Sequence, residues 1–381
     1  MTLRIAFYAP LKAPTHPVPS GDRRMGRLLM RALALAGHDV RLACTLRTRD
    51  DGRVPGRADR IAALGARAAD RLVRRWRAAP PDLWFTYHLY HKAPDPIGPR
   101  VAGALGIPYV CAEASHAPRR ATGPWAAGHA AAAAAIRGAD AVIHMTAHDR
   151  PALAAIVDGG RLHALAPFVE TAPFAAAARD RDRHRAALAA RLLLPGDAPW
   201  LLAVGMMREG DKMASWRHLA RALARVADRP WTLLAVGDGP RRACVEAAFG
   251  TLDPARVRFT GALEPDDLAG VYAAADLYVW PAVNEAYGMA PLEAQAAGVP
   301  VVAGRTGGVP DVVADGRSGV LVPVGDDAAF ALAVADLLDD PDRRRAMGRW
   351  AAANVAARHD IAGAALRLDA ILREALRNGR P

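Results

Sequence analysis

Two carboxylates, Glu285 and Glu293, stand eight positions apart in "NEAYGMAPLEAQAAG", on either side of Tyr287-Gly288-Met289-Ala290-Pro291. The preceding "DLYVWP" reads as a strand that ends at Pro281. "APLEAQAAG" reads as a short helix with Pro291 in its first turn and Gly298 at its C-cap. The loop between them then lies at a strand's carboxyl end and feeds a helix N-terminus. Amides near Gly288, Met289 and Ala290 lack intrahelical acceptors, and with the helix dipole they favour an anion such as a diphosphate. Glu293, in the first helical turn, would reach one side of that anion, where a polyol such as a ribose donates hydrogen bonds. Glu285 would reach the other side. Blander readings stand beside these: a first-turn acid worth ~0.5 kcal/mol against the dipole, and a solvated loop residue.

The elements that must position these acids follow from apolar patterning. Short continuous runs fall at 3–9, 40–44, 82–87, 108–112, 140–146 and 162–167, and again at 201–204, 232–236, 257–260, 276–280, 299–303 and 319–323. Runs of this kind, separated by helical stretches, are strands buried on both faces of parallel sheets. Two such halves predict an α/β protein of two doubly wound, Rossmann-like domains, as the length of 381 residues also suggests. The expected division is 1–170, a connector 171–198, a second domain 199–355, and a closing helix 356–381 packing back on the first domain. Ligands in such sheets bind beyond the strands' carboxyl ends, so two domains face to face would enclose a cleft.

Composition narrows the classes. The net charge of +11 is uneven: residues 1–190 hold 28 Lys+Arg and 15 Asp+Glu, and residues 191–381 hold 22 and 24. A basic first half suits a phosphate-bearing molecule or peripheral contact with an anionic membrane. Nucleic acid is not expected, because aromatics are sparse and no RNA- or DNA-binding motif appears. The stretch 59–79, with Ile61, Leu64, Ala68, Leu72 and Trp76 on one face, predicts a helix that lies on a membrane or covers a sheet edge. No apolar run is long enough to span a bilayer and no leader pattern opens the chain, which predicts a cytoplasmic protein. Cys44, Cys111 and Cys244 are expected as buried thiols. Near-miss motifs are discounted. Asp211 stands where a Walker A lysine would follow Gly210, and Arg242 occupies the third glycine's place in "VGDGPRR", so neither an ATPase nor an NAD site is expected.

Residues 281–326, "PAVNEAYGMAPLEAQAAGVPVVAGRTGGVPDVVADGRSGVLVPVGD", resemble the E-x7-E region of retaining nucleotide-sugar glycosyltransferases of the GT-B fold, glycosyltransferase family 4 (group 1). The resemblance covers about 200–355 and is weak before that. It implies that Glu285 contacts the donor sugar, that Tyr287, Gly288, Met289 and Ala290 meet its phosphates, and that Glu293 holds the ribose. It also implies a basic pair after the first strand of the second domain, offered here by Arg208 and Lys212 in "LLAVGMMREGDKMASW", to stabilise the leaving diphosphate. The family's arginine usually follows the glycine directly, where this chain has Met206. By the same likeness Asp238 lies near the nucleotide base, Gly21 stands in the place of paired glycines, and His116, about two residues late, is the histidine that meets the donor sugar. Glu113 is the candidate acceptor-side base. His88, His91, His144 and His148 have no assigned role.

The expectation is therefore a retaining, metal-independent transferase moving a sugar from a UDP- or GDP-sugar to a glycan, lipid-linked or small-molecule acceptor. It needs no cofactor beyond the nucleotide sugar, since no D-x-D stands at a strand end to grip a metal. Two alternatives carry over: a nucleotide-sugar hydrolase or epimerase of the same fold, and a non-catalytic nucleotide-sugar-binding protein. Of the 50 basic residues only Lys12, Lys92 and Lys212 are lysines, all in loops after expected strands, which marks places suited to a compact ammonium.

Overall fold

A computed structural model describes residues 1–195 and 198–378. Gly196 and Asp197 of the expected connector and residues 379–381 of the expected closing helix lie outside the described residues. The chain divides into two units: Met1–Ala166 joined by the helix Ile361–Asn378, and Pro167–Asp360.

All twelve apolar runs are strands. In the first unit β1 (Arg4–Tyr8), β2 (Asp39–Cys44), β3 (Leu83–Leu89), β4 (Tyr109–Ala114), β5 (Ala141–His144) and β6 (Leu162–Ala164) pair in the order β2-β1-β3-β4-β5-β6. In the second unit β7 (Trp200–Val204), β8 (Thr232–Val236), β9 (Val257–Gly261), β10 (Leu277–Trp280), β11 (Val301–Gly304) and β12 (Gly319–Val322) pair as β12-β11-β10-β7-β8-β9. Pairing is parallel throughout both sheets. The central strands are buried along their length, as continuous runs require: every residue of β8, β10 and β11 is buried.

Both sheets are wound outward from one strand, so each contains one place where neighbouring connections diverge. In the first unit it lies between β1 and β3; in the second, between β7 and β10. Connections leaving in opposite directions open a crevice beyond the strand ends there.

Residues 171–195 of the connector stretch form the helices Thr171–Arg179 and Arg181–Leu192, which pack on the helix Pro265–Ala274 within the second unit. Its arginines have a structural use. Arg181 donates to the carbonyls of Ala273 and Ala275, and Arg185 to that of Ala274, covering the orphan acceptors at that helix's end. Both also pair with Asp276, at 2.7 and 2.9 Å.

The helix Ile361–Asn378 packs on the helix Gly21–Leu35, burying Leu368, Ile371 and Leu372, and its Asp369 lies 3.1 Å from the buried His38. Most of the stretch 59–79 lies in the helix Arg57–Trp76, whose Ile61, Ala68 and Leu72 are buried, the latter two in the first unit's core, while Leu64 is 44% exposed. The buried part of that stripe packs on the first unit's core. One thiol corrects the sequence reading: Cys111 is buried and Cys44 half-buried, but Cys244 is exposed. Among the described residues no helix is long and apolar enough to cross a membrane.

Candidate functional site

The crevice between β7 and β10 gathers the residues singled out by spacing. Beyond β7 the chain turns through Gly210, at φ +89°, into the helix Asp211–Ala224, which places Lys212 at its second position. Beyond β10 it runs through the loop 281–288, where Ala282 and Asn284 are left-handed at φ +54° and +53° and Gly288 at +72°. Non-glycine residues held there cost on the order of 1 kcal/mol each, so surrounding contacts must fix the loop.

Those contacts are visible. Val283 N–H donates to Ser215 Oγ (3.0 Å), Asn284 Nδ2 donates to Asp211 Oδ2 (2.9 Å), and Lys212 Nζ donates to Glu285 Oε1. Glu285 Oε1 also accepts from Trp280 Nε1 at 3.0 Å, and Lys212 Nζ sits 5.3 Å from the centre of the Trp280 ring. The first turn of one helix thus grips the loop that carries the first acid. A third loop closes on it from β11: a Cβ on Gly307 would lie 2.1 Å from the Glu285 carbonyl oxygen, and Gly308 N–H donates to Ala286 O (2.5 Å).

Glu293 lies in the helix Met289–Ala296 with Gly288 as its N-cap. Two details differ from the sequence reading. Glu293 is the fifth helical residue, one position later than expected and just past the first turn, and the helix is capped at Ala297 with Gly298 following it. Glu293 is also only 3% exposed. Both acids act on one ring: burial, and then the charges of Glu285 and Glu293, hold the Tyr278 phenol well above its ordinary pKa. Tyr287 is buried, while Gly288, Met289 and Ala290 are half-buried.

Arg208 and Asp238 are exposed. Asp238 accepts from its neighbour Gly239 N–H (2.7 Å) and lies 3.8 Å from Arg242. The glycines of that turn answer to packing. A Cβ on Gly237 would meet Gly205 O at 1.9 Å, and one on Gly239 would meet Met207 O at 2.4 Å, so the ends of β7 and β8 approach too closely for any side chain.

In the first unit the crevice between β1 and β3 holds a second charged group. The helix Gly21–Leu35 begins beyond β1, capped by Ser20 Oγ accepting from Arg23 N–H (3.2 Å); Gly21 is exposed, with nothing within 4 Å of where a Cβ would stand. Asp22, its second residue, lies 3.0 Å from His88 Nδ1 near the end of β3, and Glu113 of β4 lies 3.8 Å from the same nitrogen. His88 and Glu113 are both left-handed, at φ +62° and +51°. Burial disfavours the His88 imidazolium, but Glu113 first and then Asp22 and Asp149 outweigh it and raise its pKa to about 9. His88 had no role assigned from the sequence; its signal is the left-handed conformation, which no residue pattern reveals. His116 lies beyond β4 with its ring tilted against that of His129 at 4.9 Å, and its pKa is lowered by burial and then by His129 and Arg137.

Two parallel, doubly wound units of this kind are those of the GT-B fold. Residues 198–340, in the second unit, match the glycosyl transferases group 1 family. D-inositol 3-phosphate glycosyltransferase of Corynebacterium kroppenstedtii is 47% identical over 128 residues, 34% of this chain and 28% of that protein. The chain spans only 28% to 38% of the length of three Corynebacterium relatives that it matches. In fold it is similar to sucrose-phosphate synthase from Thermosynechococcus elongatus (22% identical, 98% of this chain and 99% of that one, TM-score 0.74). It is similar also to Anabaena HepE in complex with UDP (15% identical, 97% and 100% covered, TM-score 0.75).

Proposed function

We propose that the protein is a glycosyltransferase that moves a hexose from a UDP- or GDP-sugar to a glycan, lipid-linked or small-molecule acceptor, retaining the anomeric configuration and using no metal. The observation that carries this reading is the Lys212–Glu285 pair across the β7/β10 crevice, with the buried Glu293 one helix turn beyond the amides of Met289 and Ala290. A diphosphate entering there takes Lys212 from Glu285 and meets those amides and the positive end of the helix. Glu285, still held by Trp280, then accepts from hydroxyls of the sugar, and Glu293 accepts from the ribose. As the sugar–phosphate bond breaks, negative charge grows on the departing oxygen, and a cation already in place lowers that barrier. Arg208, exposed at the rim, joins the diphosphate only from solvent, and Asp238 meets the base. The first unit is the acceptor side, where Gly21, His116 and Glu113 border the incoming molecule. The place of action is cytoplasmic, with the basic unit able to meet an anionic membrane.

Similar proteins support the donor class: Anabaena HepE structures contain UDP and UDP-glucose. A Streptomyces kanamyceticus relative is a 2-deoxystreptamine glucosyltransferase. The test is nucleotide release from a panel of UDP- and GDP-sugars, with and without glycan, lipid and small-molecule acceptors, with the product's anomeric configuration read by NMR. Release that requires an acceptor supports transfer. Equal release without one identifies a hydrolase, and binding without release identifies a sensor.

A further inference from the structure

Beyond the ends of β3 and β4 the first unit gathers cations with no counter-charge. Lys92 Nζ lies 5.1 Å and Arg120 Cζ 4.4 Å from the centre of the Trp125 ring, and Arg119 is exposed on the same short turn, Pro118–Arg120. Among the described residues none of the three pairs with a carboxylate, whereas Arg181, Arg185 and Arg221 elsewhere all do. His91 meets the Trp125 ring edge-on at 5.8 Å. Burial, and then Lys92, Arg120, His129 and Arg119, push the His91 pKa down to about 4, so the three cations and the His129 ring all bear on one imidazole.

This grouping is built, not incidental. A Cβ on Gly128 would lie 2.2 Å from His91 O, and one on Gly52 2.9 Å from Pro124 and 3.1 Å from Trp125 Nε1, so two segments press against the cluster with no room for side chains. Asp50 N–H donates to Lys92 O (2.8 Å), fixing the lysine's backbone. His91 Nε2, Trp125 Nε1 and His129 Nε2 are buried without hydrogen-bond partners. Unpaired like charges held together repel, and orphan buried nitrogens carry a desolvation cost. An anion with several oxygens relieves the repulsion, and three positive charges suit a dianion better than a carboxylate.

We propose that Lys92 and Arg120 on the Trp125 ring, with Arg119 next to Arg120 on the same turn and with His91 and His129, form a subsite for a phosphate monoester, which is the acceptor if the glycosyl-transfer reading holds. The subsite lies outside residues 198–340, the span matched by the family. A run of rings joins it to the carboxylates of the first crevice: Tyr90 stands 5.2 Å from His91 and 4.9 Å from His88. One molecule can therefore offer its phosphate to the cations and its hydroxyls toward Glu113.

The test is titration calorimetry on the full chain with inorganic phosphate, glycerol 3-phosphate and glucose 6-phosphate, each neutral parent beside it, and UDP as the donor-site control. Vesicles of phosphatidate against phosphatidylcholine form a second arm. The phosphorylated compounds bind and their parents do not. Lys92→Gln and Arg119→Gln each weaken that binding at least about 10-fold, leaving UDP affinity and the melting temperature unchanged. If only phosphatidate vesicles respond, and both variants abolish it, the same subsite reads a lipid headgroup. Phosphates that bind no better than their parents in either arm, or bind both variants as they do the wild type, overturn the proposal. Loss of UDP binding alone, with phosphate binding intact, refutes the donor reading and leaves this subsite standing.

Discussion

The two crevices are built alike and charged oppositely. Between β7 and β10 the second residue of a helix supplies the cation, Lys212, and the loop beyond the neighbouring strand supplies the anion, Glu285. Between β1 and β3 the second residue of a helix supplies the anion, Asp22, and the neighbouring strand supplies the imidazole, His88, with Glu113 as a further carboxylate. Strand order decides where such a pair meets and says nothing about its sign. Sign decides the ligand. An ammonium released toward an entering diphosphate suits a donor's leaving group, while an imidazole already flanked by two carboxylates has nothing to gain from one and suits hydroxyls instead.

The strongest way to break this comparison is to delete the second unit's pair. Lys212→Ala and Glu285→Ala should each lower turnover at least about 100-fold once a donor is found, measured as kcat. Near-normal rates in both would remove the functional half of the contrast. Gly307→Ala leaves both charges in place but drives a methyl into the Glu285 carbonyl, so kcat should fall about 10-fold through misplacement alone, with a lower melting temperature. Glu293→Gln should raise the donor KM about 10-fold with kcat nearly unchanged, because a ribose contact is present before and during transfer.

In the first unit the reporter is pH. The His88 imidazole titrates near 6.5 when unfolded and near 9 when folded, so its contribution is whole below pH 6.5 and is lost as pH rises through 9. The stability difference between wild type and His88→Asn, from urea unfolding, should shrink by about 2 kcal/mol between pH 6 and 10. Tyr90, whose phenol is pushed up to about 12, stays outside that window. A flat difference would mean that the carboxylates do not hold the ring. The smallest effect is expected at Arg208. Arg208→Gln, at an exposed rim position, should change kcat/KM by less than about threefold.

The sequence announced the sheets fully, because strands buried on both faces leave continuous apolar runs that nothing else in a chain of this composition imitates. It announced the second crevice through the spacing of Glu285 and Glu293, local along the chain and bound to one strand–loop–helix unit. It could not show that Glu293 is buried and one position further into its helix than expected, since helix starts drift by a residue or two. Nor could it show that Gly307, Ser215 and Asp211 brace the loop of Glu285: these come from other strand ends, and only the folded register brings them together. His88 was invisible for the same reason, its partners lying 66 residues before it and 25 after it along the chain. Arg181 and Arg185, counted into the basic first half, misled in a different way, their charge directed at Asp276 and helix carbonyls instead of at a partner molecule.

The helix Ile361–Asn378, the piece that completes the first unit, is made after every residue of the second. On the ribosome the amino-terminal sheet therefore emerges with one flank bare, and the helix Gly21–Leu35 must wait, its apolar side uncovered, while the whole following body is synthesised. Nascent chains of this layout offer chaperones a long-lived target.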